Sequence, residues 1–305
     1  GAEGDFTAPF INIGNTQNKG IDMVLTYRSK ASSKIMYSGS VNFTAYKNEV
    51  LSQGVDFFTN TTRNSPVSRT LTGNAIGMFY GYVTDGFFNT VEEVAAAPAQ
   101  PGLNKNNPQQ SVGRWRLKDA NGNGSVTATD REFLGSPHPK FQTGFNFDVA
   151  YKNFDLNVFA FWNYGNQIYN NTKWWTDFNG FTGNRSKKML YDSWTPENKN
   201  ASLPKLDAND NISNSVPHSY FVESGSYFRA KTVQLGYTVQ NGLSNRIGAS
   251  NLRFYIQAQN LFTITPYSGP DPDLLDVGRG DIGLGVDHGR VPNPFQILGG
   301  LSVTF

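Results

Sequence analysis

The feature that most limits what this chain can fold into is strict apolar–polar alternation over long runs. Between Phe141 and Tyr151, the residues Phe141, Thr143, Phe145, Phe147, Val149 and Tyr151 alternate with Gln142, Gly144, Asn146, Asp148 and Ala150. A period of two puts successive side chains on opposite faces of a β-strand. A tight turn at Lys152-Asn153 leads into a second run, in which Phe154, Leu156, Val158, Ala160, Trp162 and Tyr164 share a face. Asp155, Asn157 and Asn163 lie opposite, with Phe159 and Phe161. Five more segments repeat the pattern: Ile21 to Tyr27; Val41 to Ala45; a strand over 227–239 with Tyr227, Val233, Leu235, Tyr237 and Val239 on one face; Leu252 to Ala258; and Phe295 to Phe305. The predicted strands run to ~9–13 residues, beyond the usual ~5–6 and enough to cross a bilayer as tilted strands, which takes ~9–11.

The connections alternate short and long. The short ones fall at 29–35, 152–153 and 240–250, and the long ones at about 48–140, 165–226 and 262–294. Short turns on one side and long loops on the other are the pattern of outer-membrane barrels. Residues 75–88 look like a strand or hairpin, but one extra spanning strand would break the alternation, so they are assigned to the loop layer. Seven spanning strands result. A closed bacterial barrel from one chain has an even number, eight or more, and an open sheet in lipid leaves two edges of unpaired backbone. The expected fold is therefore all-β: an antiparallel, up-and-down membrane β-barrel of which residues 1–305 form one portion. Gln142, Gly144, Asn146 and Asp148 are expected to face the lumen, and Phe145, Phe147 and Val149 the lipid. Trp162, Tyr164 and Tyr227 are expected in an outer aromatic girdle.

Composition removes other classes. Aromatics reach 14%, charged residues only 16%, and the net charge is +2. That charge argues against a nucleic-acid partner, and the aromatics argue against disorder. No apolar run approaches the ~18 residues of a spanning helix. With no cysteine, disulfides, zinc-thiolate sites, iron–sulfur clusters and Cys nucleophiles fall away. Gly1-Ala2-Glu3-Gly4 has neither the basic nor the apolar region of a signal peptide, so the chain reads as a mature cytosolic protein, a processed one or a fragment. No phosphate-binding glycine loop is present, and no enzyme is expected. His138, His218 and His288 stand isolated and read as solvated loop residues. Asp271 and Asp273, beside Pro270 and Pro272, read as turn residues.

Two local motifs could carry chemistry. Asp119, Asn121, Asn123, Ser125 and Asp130 have the spacing of a calcium loop, with Gly124 at the sharp turn. Side chains at positions 1, 3, 5 and 12 and the Ser125 carbonyl would hold a structural Ca2+, with affinity in roughly the 10⁻⁴–10⁻³ M range. The alternative is an Asn/Gly-rich turn closed by its own side chains. The second motif is the aromatic group Trp174, Trp175, Phe178 and Phe181, read either as a platform for a sugar ring or peptide side chain, or as loop packing or contact with a partner protein.

A set of short stretches, in order along nearly the whole chain, resembles the SusC/RagA-type TonB-dependent transporters of the Bacteroidota outer membrane. These are Asn12-Ile13-Gly14 through Asn18-Lys19-Gly20, Phe79-Tyr80-Gly81-Tyr82 with Asp85-Gly86-Phe87, Ser136-Pro137-His138-Pro139, Trp194-Thr195-Pro196-Glu197-Asn198, Ser226-Tyr227-Phe228-Arg229, Asn251-Leu252-Arg253 with Gln259-Asn260-Leu261-Phe262, and the terminal Phe305. The resemblance implies the C-terminal part of a barrel of about 22 strands with a plugged lumen. It implies import of an oligosaccharide or peptide with a SusD-like surface lipoprotein, driven by TonB-ExbB-ExbD through an N-terminal plug absent from this chain. The long loops would be extracellular. The remaining alternatives are a passive porin-like channel and a soluble β-rich surface adhesin.

Overall fold

A computed structural model describes residues 14–30, 32–54, 57–62, 65–178, 183–207, 210, 212, 215–239, 248–274 and 283–305. Its main element is a seven-stranded sheet. The strands are β1 (Gly14–Arg28), β2 (Ile35–Gln53), β3 (Phe141–Tyr151), β4 (Phe154–Tyr164), β5 (Tyr227–Thr238), β6 (Asn251–Ile264) and β7 (Gln296–Thr304). Each pairs antiparallel with its neighbours in chain order, leaving β1 and β7 as the edges. This is the expected up-and-down portion of a barrel.

β1 and β2 outrun the expected length. β2 has 19 residues, and its upper end already belongs to the loop layer: the Val50 amide donates to the Asn74 carbonyl and Gly73 donates back to Val50. At the opposite end, the two-residue turn after β3 puts Lys152 at φ 54, the left-handed backbone that tight hairpins require.

Register confirms the faces of β3. Phe147 sits opposite Gly39 and Val158, and Asn146 opposite Ser40 and Phe159. Rings gather on the apolar face, where Phe141 contacts Phe43, Trp162 and Tyr164, and Phe145 contacts Phe228. Ile21, Leu25, Phe147, Phe154, Ile256 and Leu301 are exposed on this face. An apolar band this continuous does not suit a surface meeting water.

One expected face is corrected. Phe159 pairs with Thr232, but the next residue, Ala160, pairs with Ala230. Lys231 is thus an extra residue, a β-bulge, and it inverts the alternation. Val233, Leu235 and Tyr237 stay on the apolar face, while Tyr227 and Arg229 turn to the polar one. Tyr227 is buried against Phe161 and is no girdle residue. Trp162 and Tyr164 remain exposed on the apolar face.

The long connections gather at one end of the sheet into a folded cap. Residues 75–88 lie there as expected, as short strands Met78–Gly81 and Thr84–Phe87 paired with Glu132–Gly135 and Trp115–Leu117. Among the described residues the cap has two cores. One gathers Phe87, Phe88, Val94, Trp115 and Trp194; the other gathers Val67, Phe79, Tyr169, Phe221 and Val286. Tyr220 packs against both.

Candidate functional site

The polar face of the sheet carries several groups of hydrogen bonds. The Gln142 amide donates to Asn163, and Asn163 donates to Asn166. Asn146 donates to Ser40, while Ser38 and Asn157 both donate to Asp148. Towards the short turns, Arg253 makes a two-pronged bond to Asp155, at 3.0 and 2.5 Å. The pair crosses Gly236, where a β-carbon would lie 2.4 Å from both side chains. A bidentate guanidinium–carboxylate pair is directional as well as attractive, so it fixes three strands in register. Chemically this face is a wall of amides, hydroxyls and paired charges, able to line water or hydrogen-bond a passing solute.

Near the cap the wall holds a recess of about 540 Å3, lined by Asn18, Asp22, Thr44, Tyr46, Asn48 and His138. The His138 Nε2 lies 3.0 Å from the Ile76 carbonyl, which can only accept, so Nε2 carries the proton. Nδ1 then accepts from the Tyr46 hydroxyl at 3.3 Å. Asn48 donates to Asn18 and accepts from the Ile76 amide. His138 is therefore a half-buried structural link, not a solvated loop residue.

The bulge at Lys231 builds a charge cluster that parity alone missed. Arg229, 3% exposed, pairs with Asp271 at 2.5 Å and Asp273 at 3.3 Å, and Lys231 reaches Asp273 at 3.1 Å. Asn293 donates to Asp271 through its amide and its side chain. Burial alone would raise the Asp271 carboxyl, but bonds from Arg229 and from the Asp273 and Asn293 amides hold it below its ordinary value. Asp271 and Asp273 thus bind the loop over 265–295 to the wall, and are more than turn residues. The signal was present in the sequence: Arg229 and Lys231 share odd parity with Val233 and Leu235, and one face cannot suit all four.

The aromatic group does not form an open platform. Trp174 is 9% and Phe178 3% exposed, both inside the second core. Trp175 is half-buried and meets Trp174 edge-on. Phe181 lies outside the described residues. Of the other histidines, His288 is exposed and His218 is fully buried, so the solvated reading fails for His218.

The loop with calcium spacing is closed by its own side chains. Asp119 accepts from the Gly122 and Gly124 amides, Asn121 from Asn123, and Asn123 from Ser125. Asp130 is 1% exposed. One of its oxygens accepts from the Ala120 and Asn121 amides, the other from the Thr127 amide and hydroxyl. A carboxylate offers about four lone-pair positions, and Asp130 spends them on these donors. Its carboxyl sits below the ordinary value, chiefly through the Thr127 amide bond. As folded, the twelfth-position ligand that the spacing predicts is committed to the backbone, and the geometry supports the self-closed turn.

No protein-family profile matches the chain. It is 30% identical over 306 residues to TonB-dependent receptor P3 of Formosa agariphila, covering 96% of this chain and 29% of that protein. It is 24% identical to TonB-dependent receptor SusC of Bacteroides thetaiotaomicron over 298 residues, 96% of this chain and 27% of the relative. In structure it is similar to a chain of the RagAB peptide transporter, with TM-score 0.72 and 21% identity, over 98% of this chain and 30% of that one. The chain thus spans about three tenths of the length of these proteins.

Proposed function

Since the chain is homologous, along nearly all its length, to part of the SusC-type TonB-dependent receptors, we propose that it forms part of an outer-membrane active transporter for nutrients. The observation that carries this reading is the two-faced wall. Seven antiparallel strands present an aromatic-aliphatic face on one side and hydrogen-bonded polar groups on the other, with every long connection at one end. That construction suits a wall between lipid and an aqueous or plugged lumen. The unpaired edges of β1 and β7 join the remaining barrel strands, since open edges are not tolerated in hydrocarbon. The cap faces outward from the cell, where its loops meet a SusD-like lipoprotein. The cargo is an oligosaccharide or a peptide, and TonB-ExbB-ExbD supplies the energy through a plug outside this chain. The named relatives are receptors and transporters, which supports a role in transport rather than catalysis.

Uptake in cells carrying the complete gene tests this. Cells lacking it, and cells lacking TonB, are expected to lose uptake of the same oligosaccharide or peptide. Uptake that persists without TonB would favour the passive channel. Crosslinks from the 165–226 loop are expected to capture a surface lipoprotein; capture of TonB would put the cap on the wrong side.

A further inference from the structure

We propose that His218 is an acid-sensitive latch joining the first and second long loops, closed while its ring is neutral and released when the ring takes a proton. The ring is fully buried, and among the described residues neither nitrogen has a hydrogen-bond partner. Four rings box it in: Phe221 at 4.6 Å between centroids, Trp115 at 5.6 Å, Tyr220 at 6.2 Å and Phe178 at 6.3 Å. Trp115 comes from the first long loop, the other three from the second. The ring therefore sits in the seam between the two cores of the cap.

The backbone closes that seam on both sides of the ring. The Tyr82 amide donates to the Pro217 carbonyl at 2.9 Å, and the Ser219 amide donates to Tyr82 at 2.9 Å. The Thr84 amide donates to the Ser219 hydroxyl at 3.0 Å. Gly81 makes room, since a β-carbon there would lie 2.4 Å from the Pro217 oxygen. Water reaches the imidazole only when these bonds part. A buried polar ring without a partner is costly, and a phenyl ring in the same box would avoid that cost. Stability of the closed cap therefore does not explain the histidine; what a phenyl ring lacks is the ability to take a proton.

The charged neighbours give no help to a protonated ring. The Lys173 ammonium lies 4.2 Å from the Tyr220 centroid, bonds the Tyr220 carbonyl and pairs with Glu223 at 2.7 Å. Asp177 accepts from the Tyr220 hydroxyl. On the first loop, the Arg131 guanidinium lies over Tyr82. Burial first, and then Lys173, push the imidazole down to about 3, from an ordinary ~6.5. The sign follows. The closed seam holds a neutral ring, and an opened seam lets it take a proton below ~6.5. Closure is fully favoured above that pH and weakens as pH falls towards 3. Glu223 would be raised by burial, but its bonds to Lys173 and Ser268 bring it below its ordinary value, so it stays ionised across the upper part of this window.

Hydrogen exchange on the complete protein in nanodiscs tests the latch, corrected for the intrinsic pH dependence of exchange. The reporters are segments 79–88 and 215–224, with β4 as internal reference. Between pH 7.5 and pH 5.5 the opening constant of the seam is expected to rise about tenfold, with β4 unchanged. His218→Phe is expected to abolish the rise. A flat wild-type profile, or an equal rise in the variant, overturns the proposal. If His218→Phe fails to insert, His218→Leu takes its place, and a wild-type rise shared equally by β4 overturns the proposal by itself.

Discussion

The wall and the cap are built in opposite ways. Every residue of β1 but one is exposed, and the sheet has no core of its own, only two faces that meet different surroundings. The cap encloses Phe79, Phe88, Tyr169 and Phe221 completely. The wall is therefore completed from outside, by lipid on one face and further strands at its edges, whereas the cap is stabilised by its own apolar packing. Substitutions should obey different rules in the two regions: volume and burial in the cap, and parity in the wall.

The largest effects are expected in the cap and where it joins the wall. Phe221→Ala removes a fully buried ring of the second core and should cost about 3–5 kcal/mol of cap stability. Proteolysis within 165–226 would report it, while β4 keeps its exchange protection. Arg229→Ala leaves Asp271 buried without its cation and should cost about 3–5 kcal/mol, freeing the loop over 265–295. The comparison sharpens if Arg229→Ala leaves the Tyr82 amide protected, since its acceptor, the Pro217 carbonyl, lies outside that loop. It breaks if both variants open the whole cap, because the cap would then be one unit that depends on the wall.

A somewhat smaller effect tests parity within the wall. Phe147→Arg places a charge on the lipid face and should cost about 2–4 kcal/mol near the bilayer centre, whereas a polar change at Asn146, one residue away, is tolerated on the lumen side. Equal losses of folded barrel from Phe147→Arg and Asn146→Arg in detergent refolding would reject the two-faced wall. Cysteine variants give the same answer by labelling: a polar reagent should modify position 146 and spare position 147.

This difference also decides what the sequence could disclose. Alternation is local, so seven strands, their order and most of their faces were legible from residues alone. The Lys231 bulge was legible only as a conflict of parity at Arg229 and Lys231, because the aspartates that pair with them lie some 40 residues away. The cap was legible only as motifs. Its cores join residues from distant loops, and nothing periodic marks Trp174 or Phe178 as interior. His218 looked solvated for the same reason: its box is assembled from Trp115 on one loop and Phe178 and Phe221 on another.

The smallest effect is expected at the turn over residues 119–130, which belongs to the cap by position yet is held together like neither region. Its core contribution is confined to Val126, and its shape comes from side-chain oxygens accepting backbone amides. Gly122 at φ 69 and Gly124 at φ 82 supply the left-handed steps that let the amides point inward. Asp119→Ala removes the acceptor for both of those glycine amides. The groups are exposed, so water replaces the lost bonds and the cost should stay near about 1 kcal/mol. Two anchors outlast the change: the Val126 amide bond to the Ala99 carbonyl at 2.6 Å, and the four bonds on Asp130. Faster exchange limited to the amides of 120–125 is therefore expected, with the first core undisturbed. Calcium supplies the contrary test. A turn closed by its own side chains should exchange alike in chelator and in millimolar Ca2+. Saturable protection by Ca2+ that disappears in Asp119→Ala would show instead that Asp130 gives up its backbone donors to a cation, and that the turn depends on an ion for its order.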